Sequence, residues 1–227
     1  MQRESATRHT ATGSSVSGES LTKALLRCGV IAGPLYILIG ALQVLIRPGF
    51  DVRYNVLSQM ALGDLGWIQT ANFAISGLLV LAGAIGIGRA LRSGHGATWA
   101  PRLIGIYGAG LVGAAIFSAD PGFGFPPGTP AGMPTAVSTH ALIHFALGGI
   151  AFFSIIGACF VVARRYAKLG QRGWAAYSVA TGIIFLVAFV GTASGSGLVA
   201  FTLGLWVAIG LAWVWLSVLS ARLIKGN

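Results

Sequence analysis

The sequence predicts an all-α membrane protein, a bundle of six transmembrane helices. Six separate stretches are long and apolar enough to cross a bilayer, and charged residues make up only 9% of the 227 residues. A soluble domain of this size carries about a quarter charged residues, so this chain has too little polar surface to face water on all sides. The mean hydropathy of +0.80 agrees with that interpretation.

The predicted spans follow one another closely, at about 25–46, 67–91, 99–119, 139–162, 174–193 and 199–221. Each can cover a hydrocarbon core of ~30 Å at ~1.5 Å per residue. The first is too long for the apolar part of a signal peptide, so we expect it to remain as an anchor. Residues 1–22 are rich in Ser, Thr and Gly and lack an apolar period, which predicts a disordered cytoplasmic tail before a six-helix domain over 23–227.

The positions of the basic residues predict the orientation. Of the 15 Lys and Arg residues, all but Arg47 and Arg53 lie in segments that meet at one end of the predicted bundle. Cytoplasmic loops carry an excess of Lys and Arg, so we expect both termini in the cytoplasm of a multi-pass protein of the cell membrane. The same bias explains the net charge of +10, and we expect no nucleic-acid partner.

The first connection on the opposite, outer side, residues 47–66, has the pattern of a short interfacial helix. Asp51 can cap a helix from Val52 to about Ala61, and Gly63 can end it. One side of that helix is polar, and either it faces water or it roofs a cavity between the spans. The polar side consists of Asp51, Asn55, Ser58 and Gln59.

The second outer connection, residues 118–138, is rich in Pro and Gly and predicts a stiff, extended lid. Asp120 stands at its start, and His140 and His144 follow it on one face of the fourth span. Ionisable residues at the rim of a span are expensive to desolvate and are therefore candidates for function. Asn72 on the second span adds a polar group at similar depth.

Three roles are open for the histidine pair. His144 can make a structural hydrogen bond across the bundle, or it can serve as a general acid/base or proton relay. The i, i+4 spacing also allows a shared metal completed by Asp51 or Asp120, although spacing alone is weak support, and we assign no metal ligands.

The order of motifs resembles the DUF998 family of six-span bacterial membrane proteins. The similarity rests on CGVIAGPLY, RPGFD, NVLSQMALGDLGWIQTANF, ADPGFGFPPGTP and the following H-x-x-x-H, and it extends from about Leu25 to the C-terminus. The resemblance implies a six-span fold and an outward cluster of Arg, Asp, Ser and His. It implies no activity.

These observations support three hypotheses for function. The first is an intramembrane enzyme acting on an amphiphilic, lipid-like or isoprenoid-like substrate. Its catalytic residues would be Asp51, Ser58, Asp120, His140 and His144, with Arg47, Asn55 and Asn72 binding the substrate. The second is a small-molecule or proton-coupled transporter or binding protein, for which a homo-oligomer could supply the missing internal repeat. The third is a structural membrane partner. The sequence contains no motif that names a cofactor.

Overall fold

The computed structural model describes residues 2–134 and 136–226, with side chains from Gly18 onward. Within these residues the chain forms six long helices and a short 3-10 helix at Leu57–Ala61. Each long helix contains a segment that is long and apolar enough to span a membrane, which confirms the predicted fold class. The helices are α1 Gln2–Ile46, α2 Gly66–Leu91, α3 Trp99–Ile116, α4 Thr139–Lys168, α5 Arg172–Ala193 and α6 Val199–Ile224.

The six helices form a closed ring in which each packs against the next and α6 returns to α1. Glycines allow the closest approaches. A Cβ atom at Gly33 of α1 would lie 2.7 Å from the backbone oxygen of Trp213 on α6, and one at Gly83 of α2 would lie 2.9 Å from the Cα of Gly29. Helices in lipid gain little from the hydrophobic effect, so such backbone proximity supplies much of the packing energy.

Trp213 occupies the centre of the bundle, where it is 1% exposed. Its ring stacks on Tyr36 of α1 with centroids 4.6 Å apart, and it contacts Tyr107 of α3 at 5.6 Å. Aromatic pairs at these separations add to the energy of buried area. This aromatic cluster joins three helices that are not consecutive in the chain.

The two ends of the bundle differ in construction. The "loop end" carries the connections 47–65, 117–138 and 194–198, and the "basic end" carries 92–98 and 169–171. At the basic end, Arg165 donates to the carbonyls of Ser93 and His95. Arg222 stacks over the ring of Trp174 at 5.2 Å. Basic side chains therefore stabilise the short connections on that side.

Two local predictions need correction. Residues 18–22, which the sequence predicts to be part of a disordered tail, are helical, and Arg89 of α2 donates to the Gly18 carbonyl and to Thr22 Oγ1. The rest of the predicted tail lies outside the residues whose side chains are described. The predicted interfacial helix from Val52 to about Ala61 is replaced by turns over 52–54 and the shorter 3-10 helix Leu57–Ala61.

Candidate functional site

A cavity of about 210 Å³ lies in the loop-end half of the bundle, and we call it the deep cavity. All six helices and the 3-10 segment contribute to its wall. Most of the lining is aliphatic or aromatic, including Phe73, Leu111, Phe152, Phe189 and Ile209. The lining residues with hydroxyl or imidazole groups are Tyr36, Ser58, Tyr107, His144 and Thr192. An apolar pocket with a few polar groups is typical of a small-molecule site.

A second cavity of about 300 Å³, the shallow cavity, lies nearer the loop end. The loop residues Tyr54, Gln59, Asp120 and Phe123 line part of it, and the α5–α6 connection lines another part. The two cavities share three lining residues, which are Val56, Phe145 and Thr192. They are therefore neighbouring spaces that meet at these side chains.

His144 contributes an imidazole to the wall of the deep cavity, and the residue is 7% exposed. Its Nδ1 lies 2.8 Å from the carbonyl oxygen of Phe117, the C-cap residue of α3. A carbonyl oxygen only accepts hydrogen bonds, so Nδ1 carries the hydrogen in this contact. In the neutral ring Nε2 is then the basic nitrogen. This arrangement orients the ring as a general base requires.

His140 and Asp120 are placed differently. His140 is exposed, and its ring packs edge-on to Phe117 with centroids 5.4 Å apart. Asp120 accepts hydrogen bonds from the backbone nitrogen and the hydroxyl of Ser138, at 2.7 and 2.6 Å. Ser138 is the N-cap of α4, so the carboxylate supports a helix cap while also lining the shallow cavity.

Asp51 lies at the surface and is paired with Arg53. Its carboxylate accepts from the guanidinium of Arg53 at 2.6 Å and from the Arg53 backbone nitrogen at 2.9 Å. The bonds from the Arg53 side chain hold the pKa of Asp51 below its usual range. Asp51 lines neither cavity.

Asn55 and Gln59 explain why the predicted helix is absent. Asn55 Oδ1 accepts from the backbone nitrogen of Asp51, and Gln59 Oε1 accepts from that of Val56. Both side-chain amides also donate to the carbonyl of Gly122. Side chains that bond nearby backbone groups compete with regular helix. Asn55, which is 0% exposed, therefore joins the two long loops and lies away from both cavity walls.

Arg47 is likewise buried and 7% exposed. Its guanidinium donates to the carbonyls of Met60 and Leu62 and lies 5.2 Å from the ring centroid of Phe125. Burial lowers its pKa, and the nearby Asp64 carboxylate opposes that effect. The guanidinium thus closes the first loop on itself through the two carbonyls and contacts the second loop at Phe125, and Arg47 lines neither cavity.

Asn72 belongs to a buried polar network between α1 and α2. Its amide donates to the Tyr36 carbonyl and to Gln69 Oε1, both at 3.3 Å, and it accepts from Ser76. Gln43 donates to the same Gln69 oxygen at 2.8 Å. Hydrogen bonds of this kind stabilise helix packing inside a bundle, and Asn72 contributes to neither cavity wall.

The structure therefore separates the predicted set. Ser58 and His144 share the deep cavity, Asp120 lines the shallow one, and the other predicted site residues line neither. Among the described side chains, those of residues 18–134 and 136–226, no group of three His, Cys, Asp or Glu lies close enough together to hold a metal ion.

Besides Thr192, two tyrosines of the deep cavity were not predicted from the sequence, Tyr36 and Tyr107. Both are almost fully buried, at 4% and 3% exposed, and both line the cavity. Each stands within a long apolar run of the sequence, where a tyrosine cannot be distinguished from an ordinary core aromatic. A buried hydroxyl generally needs a hydrogen-bond partner, and that requirement was the available signal.

Comparison with known proteins gives one result. A family model described as a protein of unknown function (DUF998) matches residues 30–222, which include the parts of all six helices that form the cavities. No curated protein and no solved structure matches the chain significantly. Because the match covers most of the chain, this multi-pass membrane protein belongs to the DUF998 family.

Proposed function

We propose that this protein binds an amphiphilic small molecule whose apolar chain occupies the deep cavity. The observation that carries the proposal is the composition of the cavity wall, in which aliphatic and aromatic side chains surround a few hydroxyls and the imidazole of His144. Lipid tails are as apolar as this wall, so the wall alone gives no preference over the bilayer. The polar groups must then supply the selectivity, through hydrogen bonds to a head group.

The charges near the cavities favour an uncharged head group. Among the described residues, neither cavity is lined by a lysine or an arginine. The two arginines of the first loop are already engaged, Arg47 by backbone carbonyls and Arg53 by Asp51. Asp120, at the wall of the shallow cavity, would repel an anion. An alcohol or a similar hydrogen-bonding group suits this environment better than a phosphate or carboxylate.

A cavity-filling substitution tests the proposal. Gly148 lines the deep cavity one helical turn from His144, and a Cβ atom there would meet nothing within 4 Å. We expect Gly148→Leu to fill this space without a steric clash and to reduce saturable labelling by a photoactivatable diazirine alcohol of about twelve carbons at least tenfold. The protein would be held in lipid nanodiscs, and excess dodecanol would define the saturable part.

Gly173→Leu is the matched control. Gly173 is also helical and also has no atom within 4 Å of an added Cβ, but it lies at the basic end, away from both cavities. This variant should be labelled as the wild type is. Equal labelling of wild type and Gly148→Leu would contradict the proposed function.

General acid–base catalysis on the bound molecule is the second candidate, and one observation favours it. The bond from His144 Nδ1 to the Phe117 carbonyl leaves Nε2 as the basic atom of a ring that lines the cavity. Ser58 lines the same cavity and supplies a hydroxyl. Catalysis would require Nε2 to exchange a proton with the ligand, whereas simple binding requires only that it accept a hydrogen bond. The substitutions of His144 described in the Discussion separate these requirements.

A further inference from the structure

The two cavities meet where α4 and α5 face each other. Phe145 of α4 and Thr192 of α5 line both spaces, together with Val56 from the first loop. Phe145 is 56% exposed although it also borders the cavities. One aromatic ring therefore stands between the bundle interior and the lipid-facing surface.

The neighbouring interfaces between helices, which we call seams, are closed at the depth of Phe145 and Thr192. Between α3 and α4, a Cβ atom at Gly110 would collide with Ala151, and one at Gly113 would lie 2.7 Å from Leu147 Cδ1. Between α5 and α6, Thr192 Oγ1 donates to the Phe201 carbonyl at 3.0 Å. These contacts leave no room for a chain to pass on either side.

The α4–α5 seam is closed by aromatic packing only in its deeper part. Phe152 contacts Phe185 and Phe189, with ring centroids 5.0 and 5.1 Å apart. One turn nearer the loop end, α4 presents Gly148 and Gly149, which line the deep cavity and have open space where a Cβ atom would stand. Beside Phe145, therefore, α4 has no side chains from these two glycines to fill the seam.

We propose that the loop-end half of the α4–α5 seam is a lateral portal through which the apolar chain of the ligand enters from the membrane. The inference rests on the proposed function, and it names the source of the ligand as the leaflet at the loop end. A chain that moves from lipid into an apolar cavity stays in an apolar environment throughout, whereas entry through the loops would expose it to water, which is unfavourable for apolar surface. The Phe145 side chain fills this portal and must move to open it.

Reversible cross-linking of the seam tests the portal. Cys28 and Cys159 are first replaced by alanine, and Phe145→Cys and Thr192→Cys are then introduced as a pair. A disulfide-containing bifunctional thiol reagent closes the seam in proteoliposomes. The diazirine alcohol is added, and flashes at set times measure how fast the deep cavity becomes labelled. We expect cross-linking to slow labelling at least tenfold relative to the same protein without the reagent, and reduction to restore the rate.

The control pair spans a seam that is already closed. Gly113→Cys with Leu147→Cys joins α3 to α4, and neither residue lines a cavity. Cross-linking there should leave the rate unchanged. If the α4–α5 cross-link leaves the rate unchanged, or lowers only the final extent of labelling, the portal is wrong while the proposed function stands. If the protein without cross-links shows no saturable label in the deep cavity, both proposals fail.

Discussion

The Nδ1 atom of His144 donates to the carbonyl oxygen of Phe117 across 2.8 Å, and this contact ties the start of α4 to the end of α3. It also determines which ring nitrogen can act on a bound molecule. The ring of Phe117 also packs against the ring of His140, with centroids 5.4 Å apart. Phe117 therefore contacts both histidines, which lie in different environments. His144 lines the deep cavity, and His140 is exposed.

Substitutions of His144 separate its stabilising bond from its role toward a ligand. His144→Asn keeps an amide donor near the position of Nδ1, so we expect it to retain the bond to Phe117 and the wild-type melting temperature. It lacks the basic Nε2, so saturable labelling by the alcohol probe should fall about tenfold, or about 1.4 kcal/mol. His144→Ala loses both properties, and the missing bond should cost about 1 kcal/mol of stability.

His144→Gln completes that comparison. Its amide can accept a hydrogen bond near the position of Nε2 but cannot exchange a proton near neutral pH. If the protein only binds its ligand, Gln should restore labelling above the level of Ala. Where a turnover assay is established, binding without turnover in the Gln variant would support acid–base catalysis. Wild-type labelling in the Asn variant would show that Nε2 has no role.

Ser138→Ala should destabilise the start of α4. Its hydroxyl accepts from the Ala141 backbone nitrogen at 3.1 Å and donates to Asp120 at 2.6 Å. Loss of an N-cap costs about 0.5–2 kcal/mol. The melting temperature in detergent should fall, whereas Thr139→Ala, an exposed change next to the cap, should have little effect. Equal melting temperatures for the two variants would contradict the capping role.

Arg47→Lys should destabilise the first loop and weaken its contact with Phe125 of the second loop. Lysine cannot reproduce the planar fork that reaches both the Met60 and Leu62 carbonyls, and it stacks less well on Phe125. Hydrogen bonds from charged groups contribute about 1.5–3 kcal/mol each, so a clear fall in melting temperature is expected. Arg53→Lys is the control, because Arg53 is exposed. If the two variants melt alike, Arg47 does not stabilise the loops.

The orientation is tested by thiol accessibility in a background without Cys28 and Cys159. Ala131→Cys, in the exposed second loop, should react with a membrane-impermeant maleimide in intact cells. Lys168→Cys, at the basic end, should react only after permeabilisation. The reverse pattern would place the basic end outside and contradict the prediction from charge bias.

The fold was predictable because each span is a long apolar stretch that needs no partner to be recognised. The observed helix Gly66–Leu91, for example, begins one residue before the predicted span. The loop from 47 to 66 was not predictable in the same way. Hydrogen bonds from the side chains of Asn55 and Gln59 override its helical pattern. Both side chains also bond the carbonyl of Gly122, which is 67 residues from Asn55 in the chain.

The site could be predicted only in part. The residue types and the i, i+4 spacing pointed to His144, which lines the deep cavity together with Ser58, and the roles of both residues stay predictions. These sequence features could not show that Asp51 pairs with Arg53, or that Arg47 is satisfied by carbonyls. Such pairings depend on how the loops fold over the bundle. The apolar wall and its two tyrosines carry no sequence signal apart from hydrophobicity.

Ligand binding in the deep cavity is tested most directly by mapping where the diazirine alcohol attaches to the wild-type protein in nanodiscs. Peptide mass spectrometry would locate the label, and competition with excess dodecanol would separate saturable sites from general contact with lipid. We expect saturable label on α4 between His144 and Phe152 and on α5 between Phe189 and Ala193, where these helices line the deep cavity. Label that does not compete, or that is spread over lipid-facing residues such as Leu38 and Leu78, would contradict it.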